Sequence, residues 1–457
     1  MNTSSNTDSS TAMQTSFDAV IIGAGPAGSS AAILLARAGW SVALIEKQRF
    51  PRRKVCGECI AASNLPLLDA LGIGAQFEAS AGPDLRQVAL MQGMRTLVAD
   101  LPAAPDPRHA WGRALGRETL DTLLLAQARV AGVTVLQPWS VQAMTGSAGD
   151  HHCEIRAMAS SQSATLQAPV LIAAHGSWEP LPPGRATRRA GRRASDLFAF
   201  KANFSGASLP DGLLPVLSFN GGYGGMVRAD GGVLTLACCV REDRLEAWRR
   251  NAPGLRAGEV VEAMLKHECQ GVAEALEGAQ LDGAWLATGP IAPGIRLRAD
   301  ESFFRIGNAA GEAHPIIGEG MSMAMQSAWL LCARLVGARL LGVIPARSSL
   351  SSAAWQRDLG NQYAAEWRRH FAPRLALAAA FAHLAMRPAL SSALLPMLRQ
   401  WPQLMTQGAR WAGKVRCAPS LDTVAWLASR AGSPLPPFAA SHAQAQFTLT
   451  KKQGVTD

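Results

Sequence analysis

The 457-residue sequence predicts an α/β fold in three parts: a Rossmann-type nucleotide-binding domain, a β-sheet substrate domain inserted into it, and a helical C-terminal region. Three observations lead there. Residues 17–46 read as strand, glycine-rich turn, helix and strand. Residues 196–295 hold β-branched and aromatic runs separated by Gly-rich turns. From residue 350 the pattern is helical, rich in Ala, Leu, Trp and Arg, and punctuated by Pro373, Pro388 and Pro402.

The first unit opens with DAVII, a β-branched run of strand length, and turns at Gly23-Ala24-Gly25-Pro26-Ala27-Gly28. A helix with small residues on its inner face runs to Gly39. The strand SVALIE then closes the unit at Glu46, 18 residues past the last glycine. A βαβ unit with G-x-G-x-x-G at its turn binds a dinucleotide. Gly23 makes the tight turn, Gly25 lets the backbone approach a pyrophosphate, and Gly28 lets the helix pack close to the strand. The helix N-terminus offers free N–H groups and a positive dipole end to the anion. Glu46 is placed to accept hydrogen bonds from ribose hydroxyls. This unit alone does not choose between NAD and FAD.

Residues 114–144 continue as helix then strand, and 165–180 as a buried strand ending in a Gly turn. Residues 301–336 form a strand, a glycine-rich loop and a long helix. Three motifs therefore stand in order. They are the Gly23–Gly28 fingerprint with Glu46, the strand end His175-Gly176, and Gly307-Asn308-Ala309-Ala310 followed by Pro315, Gly318 and Gly320. Over roughly residues 17–340 the chain resembles the FAD-dependent oxidoreductases of the aromatic-hydroxylase type. That superfamily also includes the geranylgeranyl reductases and the flavin-dependent halogenases. The resemblance implies FAD as cofactor and NAD(P)H, or an external reductase, as transient electron donor. The sequence has no second G-x-G-x-x-G on a βαβ unit, in keeping with a single nucleotide domain.

Two positions depart from the superfamily pattern. His175 stands where Asp is usual and reads as a structural turn residue. Asn308 stands where an Asp contacts the ribityl chain; it keeps hydrogen-bonding ability and loses charge. Pro315, Gly318 and Gly320 precede a helix from about Met321. Backbone N–H groups at such a start can meet the pyrimidine end of a flavin, where the dipole favours negative charge. Arg117 opens the helix in GRETLD, and the resemblance places it near the cofactor.

The stretch FPRRKVCGECI, residues 50–60, follows the Glu46 strand. Two readings of its C-x-x-C stand. The resemblance makes it a flavin-proximal loop, with Gly57 for close backbone approach, Cys56 at the reacting face and Cys59 as packing. A dithiol pair would instead need a helix N-terminus to lower one thiol's pKa. Zinc is not expected, because no second C-x-x-C and no His pair at zinc spacing accompany it. The eight cysteines are scattered and do not form a disulfide framework.

In the middle of the chain, Tyr223 and Arg228 in GGYGGMVR are candidate pocket walls; a cross-strand packing aromatic is the alternative for Tyr223. The helical region after residue 350 suits a membrane surface, a lid over a lipid pocket, or a cap packed on the core. Apolar residues make up 48% and charged ones 17%, a globular balance. The net charge of +10 suits an anionic substrate, cofactor or carrier, or a membrane surface. No Lys/Arg stripe interleaved with aromatics points to nucleic acid. One basic cluster, Arg185, Arg188, Arg189, Arg192 and Arg193, suits phosphates or a solvated loop.

The expected boundaries are a disordered leader at 1–16, an FAD-binding domain at 17–195 and 296–345, a substrate domain at 196–295, and helices at 346–457. The leader lacks the cationic start and apolar run of a signal peptide, so a cytoplasmic location with peripheral membrane contact is expected. The expected function is NAD(P)H-dependent monooxygenation of an aromatic or polyketide-like small molecule, carrier-bound in one version. Reduction of a C=C bond in a lipid or isoprenoid is the alternative. A halogenase ranks third, since W-x-W-x-I-P and a candidate for the catalytic lysine are missing from the sequence. A non-enzymatic flavin-binding protein ranks last.

Overall fold

The computed structural model describes residues 14–177, 191–298, 301–340 and 350–415. Most of the leader, the cluster residues Arg185, Arg188 and Arg189, and Cys417 lie outside the described residues.

Two large sheets organise the chain. The first is parallel and five-stranded. Its order is Phe304–Arg305, Val170–Ala173, Ala19–Ile22, Val42–Ile45 and Thr134–Leu136. Its central strands are buried at every residue, as a sheet covered on both faces requires. The fingerprint helix Pro26–Arg37 packs on one face with helices Arg117–Val130 and Gly320–Leu340. A three-stranded antiparallel sheet spanning residues 139–168 covers the other face, where Cys153, Ile155 and Leu166 meet Val20, Ile22 and Ile45.

The second sheet has seven strands. Their order is Gln280–Ile291, Leu197–Ser205, Leu234–Arg241, Gly222–Arg228, Leu213–Phe219, Gln87–Gln92 and Arg95–Asp100. This corrects the expected domain boundaries, because the hairpin at 87–100 belongs to the substrate sheet. Gln87–Met91 pairs in parallel with Leu213–Leu217, and Ala89 and Met91 share that sheet's core. Strand alternation divides the sheet's two faces. Phe200, Leu236 and Val240 lie under helices Glu242–Arg250 and Ala257–Glu268. Ala199, Tyr223 and Cys239 face the other way, against Ala382 and Ala385.

Those alanines belong to the long helix Ala353–Ala385, which opens with the Ser352 side chain accepting from the Trp355 N–H at 3.3 Å. Tyr363, Trp367 and Phe371 anchor it in the core of the first domain. A bend of 104° leads into helix Pro388–Gln400, followed by Gln403–Ala412, which ends at Gly413 with φ 107°. The helices thus cap the gap between the two sheets. Among the described residues no single helix is long and apolar enough to cross a membrane.

Candidate active site

A cavity of about 1120 Å³ runs between the sheets, from the fingerprint turn to the C-terminal helices. Gly23, Gly25, Glu46, Cys56, Arg117, Tyr223, Asn308, Pro315, Gly318 and Gly320 all line it. Gly28 lies behind the wall, where a Cβ would stand 1.8 Å from the Gly23 carbonyl oxygen. Arg228 does not reach the cavity, contrary to the sequence expectation. Its guanidinium donates to the carbonyls of Ala207, Leu209 and Gly232 and pairs with Asp211 at 3.0 Å, pinning a loop at the sheet's edge.

The nucleotide half is charged. Glu46 is buried, and its carboxylate accepts from the backbone N–H groups of Ala24 at 3.0 Å and Gln48 at 2.9 Å. Arg117 makes a two-pronged pair with Asp121, at 2.8 and 2.7 Å, and Arg52 lies 3.5 Å from the same carboxylate. Lys54 also lines this half; burial lowers it to about 8, with Arg117 and Arg52 adding to the effect. Three cations here face two carboxylates, which leaves positive charge for an anionic ligand.

The turn itself fits a dinucleotide. Gly23 has φ 102°, and a Cβ there would lie 2.6 Å from the Ala174 carbonyl oxygen. A Cβ at Gly25 would project into the cavity, with only Arg117 Nη2 near it, at 3.7 Å. No side chain caps the helix that starts at Pro26, so its N-terminal N–H groups stay open to a phosphate. His175 also lines the wall, and neither ring nitrogen has a partner. Burial, with Arg305, Arg296 and Lys54 close by, lowers it to about 3, so it is neutral. The turn is made by Gly176 at φ 84°, which leaves His175 as a wall residue rather than the turn residue expected. Asn308 donates to Ser177 Oγ at 2.9 Å.

Residues 16–214 match the FAD binding domain family. A tryptophan 2-halogenase of Chondromyces crocatus is 26% identical over 330 residues, 69% of this chain and 60% of the relative. A menaquinone reductase of Mycobacterium tuberculosis is 32% identical over 183 residues, 39% of this chain and 41% of the relative. Each match therefore spans less than two thirds of the relative's length. The solved myxobacterial chondrochloren halogenase CndH shares the fold, with a TM-score of 0.68 at 17% identity, over 92% of this chain and 97% of that one.

Residues 16–214 therefore carry an FAD binding domain.

That match gives the fingerprint turn its ligand, FAD, and the residues around it suit that ligand. The structure also brings forward residues that the superfamily motifs did not single out. The C-G-E-C stretch is organised by its glutamate. Glu58 is buried at φ 56°, and Oε1 accepts from the Arg117 backbone N–H at 2.9 Å and from Lys201. Its Oε2 accepts from Thr235 Oγ1 at 2.6 Å. One side chain thereby ties the cofactor loop to two strands of the substrate sheet. Cys56 lies on the cavity wall, half-buried, while Cys59 opens a two-residue strand rather than a helix. Burial raises the Cys59 thiol, opposed by Lys414. An acid inside an otherwise apolar CGECI was the available signal for Glu58.

The other half of the cavity is apolar. Phe381, Leu384, Leu394, Leu398 and Met405 line it from the C-terminal helices. Tyr223, 1% exposed, shares a hydrogen bond of 3.0 Å with His314 Nδ1. Burial, with His383 nearby, lowers His314 to about 4.

Proposed function

We propose that the protein is an NAD(P)H-dependent flavin monooxygenase that hydroxylates an aromatic or polyketide-like small molecule. The observation that carries the reading is the single cavity joining a dinucleotide turn to an apolar chamber. FAD, once reduced by the nicotinamide donor, supplies the two-electron chemistry and the activation of dioxygen. Gly23, Gly25 and Glu46 hold the nucleotide, and Arg117, Arg52 and Lys54 offset its charge. The Pro315–Gly320 loop and the helix after it would hold the ring end. The C-terminal helices exclude water and provide the apolar wall that an aromatic substrate needs. The match to a tryptophan 2-halogenase supports an aromatic substrate.

Halogenation itself is less favoured. Lys47, Lys54 and Lys414 line the cavity, and Lys414, on the C-terminal side, sits 3.1 Å from the Glu319 carboxylate. Burial alone would lower its pKa; Cys59 and Glu319 outweigh that and raise it, so the group is a donor rather than a nucleophile. Reduction of a lipid C=C bond is a second reading, supported by the match to a menaquinone reductase and by the chamber's depth between apolar helices. Leu390, Trp401, Leu404 and Trp411 are exposed on the last two helices, beside Arg387, Arg399 and Arg410, which suits peripheral contact with a membrane surface.

The test is to supply FAD-loaded protein with NADH or NADPH, ¹⁸O₂ and a panel of alkylated phenols. Product carrying one ¹⁸O atom supports hydroxylation. Reoxidation without labelled product, together with anaerobic reduction of an isoprenoid alkene, would replace it with the reductase reading.

A further inference from the structure

We propose that Lys414 is a substrate-recognition residue: its ammonium, backed by Glu319, holds an oxygen atom of an otherwise apolar substrate. The inference rests on the reading of the cavity as an FAD and apolar-substrate site, and it adds the substrate's polar group.

Lys414 follows the last helix, immediately after Gly413. Its segment is pinned to residues far earlier in the chain. Ser63 N donates to the Lys414 carbonyl at 3.2 Å, and Ser63 Oγ donates to the Gly413 carbonyl at 3.0 Å. The pinning carries the ammonium onto the glycine-rich loop. Lys414 Nζ lies 3.1 Å from Glu319 Oε1 and 3.5 Å from Cys59 Sγ. It would lie 3.3 Å from a Cβ on Gly318, so the glycine leaves room for it.

The order of the groups matters. Glu319 is fully buried and contributes nothing to the cavity wall, whereas Lys414, Gly318 and Cys59 all line it. The carboxylate therefore stands behind and the ammonium in front. An ammonium has three donors. Cys59 accepts from one of them, Glu319 stands at ion-pair distance without a hydrogen bond, and no other acceptor is found among the described residues. The donors that Cys59 does not use are left for whatever enters the cavity. Of the other lysines and arginines on the wall, Arg52 and Arg117 pair with Asp121 in the nucleotide half, and Arg53 pairs with Glu118 and Asp282. Cys59 packs with Ala409, and Ile317 packs with Ala412; all four line the same cavity.

A charged donor in apolar surroundings discriminates strongly. A ligand with an oxygen in reach gains a charge-assisted bond, while one without it leaves the donor unpaired and desolvated. The substrate class is thus an apolar ring or chain bearing a phenolic or carbonyl oxygen.

The experiment measures binding to FAD-loaded protein by equilibrium dialysis, with 1-naphthol and naphthalene as probes. The readout is the ratio of their affinities, which cancels general effects on the chamber. The double variant Lys414→Met/Glu319→Gln removes both charges and leaves no unpaired carboxylate. Its preference for 1-naphthol is expected to fall about tenfold. Lys414→Arg, which keeps the donors, retains most of the preference. Glu319→Gln alone, which removes the carboxylate that competes for the ammonium, raises it. A lysine that only latched the C-terminal segment would change the melting temperature and leave the ratio untouched. An unchanged ratio in the double variant, or no rise in Glu319→Gln if the double variant does not fold, overturns the proposal. Flavin absorbance is read on the same samples, and wild-type protein unable to take up FAD would overturn the underlying reading instead.

Discussion

The nucleotide half of the cavity takes its walls mainly from chain close to three glycine turns, near residues 23, 176 and 307. The apolar half is assembled from the substrate sheet, the glycine-rich loop and three C-terminal helices, which together span more than three hundred residues of sequence. The first half is held by backbone geometry and buried charge. The second is held by side-chain packing, with Lys414 the one lining lysine or arginine from the C-terminal region among the described residues. Perturbing the first should release the cofactor, and perturbing the second should spare the cofactor and alter what else binds.

The largest effect is expected at Gly28. A Cβ there would overlap the Gly23 carbonyl at 1.8 Å, so Gly28→Val should abolish FAD retention and lower stability by about 3 kcal/mol. Flavin absorbance after gel filtration and chemical denaturation check both. Arg117→Met comes next. It leaves Asp121, which has no exposed surface, with only Arg52 at 3.5 Å, and should cost about 3 kcal/mol and weaken FAD. Stability equal to wild type would show that Arg52 replaces it.

A smaller effect concerns pH. Lys54 is lowered from 10.5 to about 8 chiefly by burial, so the folded apoprotein loses this charge as pH rises through 8. The unfolded chain keeps the proton up to its ordinary value, so this group's contribution to stability rises with pH between 8 and 10.5. Binding of a pyrophosphate favours charged lysine, so FAD affinity should fall above pH 8, by at most about tenfold per unit. Flavin fluorescence titrations should show that slope in wild type and a flatter one in Lys54→Met. The smallest effect is expected for Tyr223→Phe, which loses one hydrogen bond to His314. It should lower the denaturation free energy by about 1 kcal/mol and leave FAD content unchanged.

The same contrast explains how much was legible in the sequence. The βαβ unit, Glu46 and the glycine-rich loop were readable because their chemistry depends on local spacing. Arg228 was misplaced because a strand's sequence does not say which end meets the cavity; carbonyls of a neighbouring loop captured its guanidinium. The hairpin at 87–100 was assigned to the wrong domain because parallel pairing with Leu213–Leu217 joins segments far apart. Glu58 and Lys414 escaped notice for the same reason. Their partners, Lys201 and Thr235 in one case and Glu319 and Cys59 in the other, come within reach only once the chain is folded.

The central claim is that one cavity holds FAD and an apolar substrate side by side. It is tested most directly by the visible spectrum of the FAD-loaded protein during a titration with naphthalene. The account predicts a saturable perturbation of the flavin bands in wild type. It predicts loss of that perturbation, with flavin still bound, in Leu398→Arg, where a charge enters the apolar wall. Naphthalene binding that leaves the flavin bands unmoved, or an undiminished perturbation in Leu398→Arg, would contradict it.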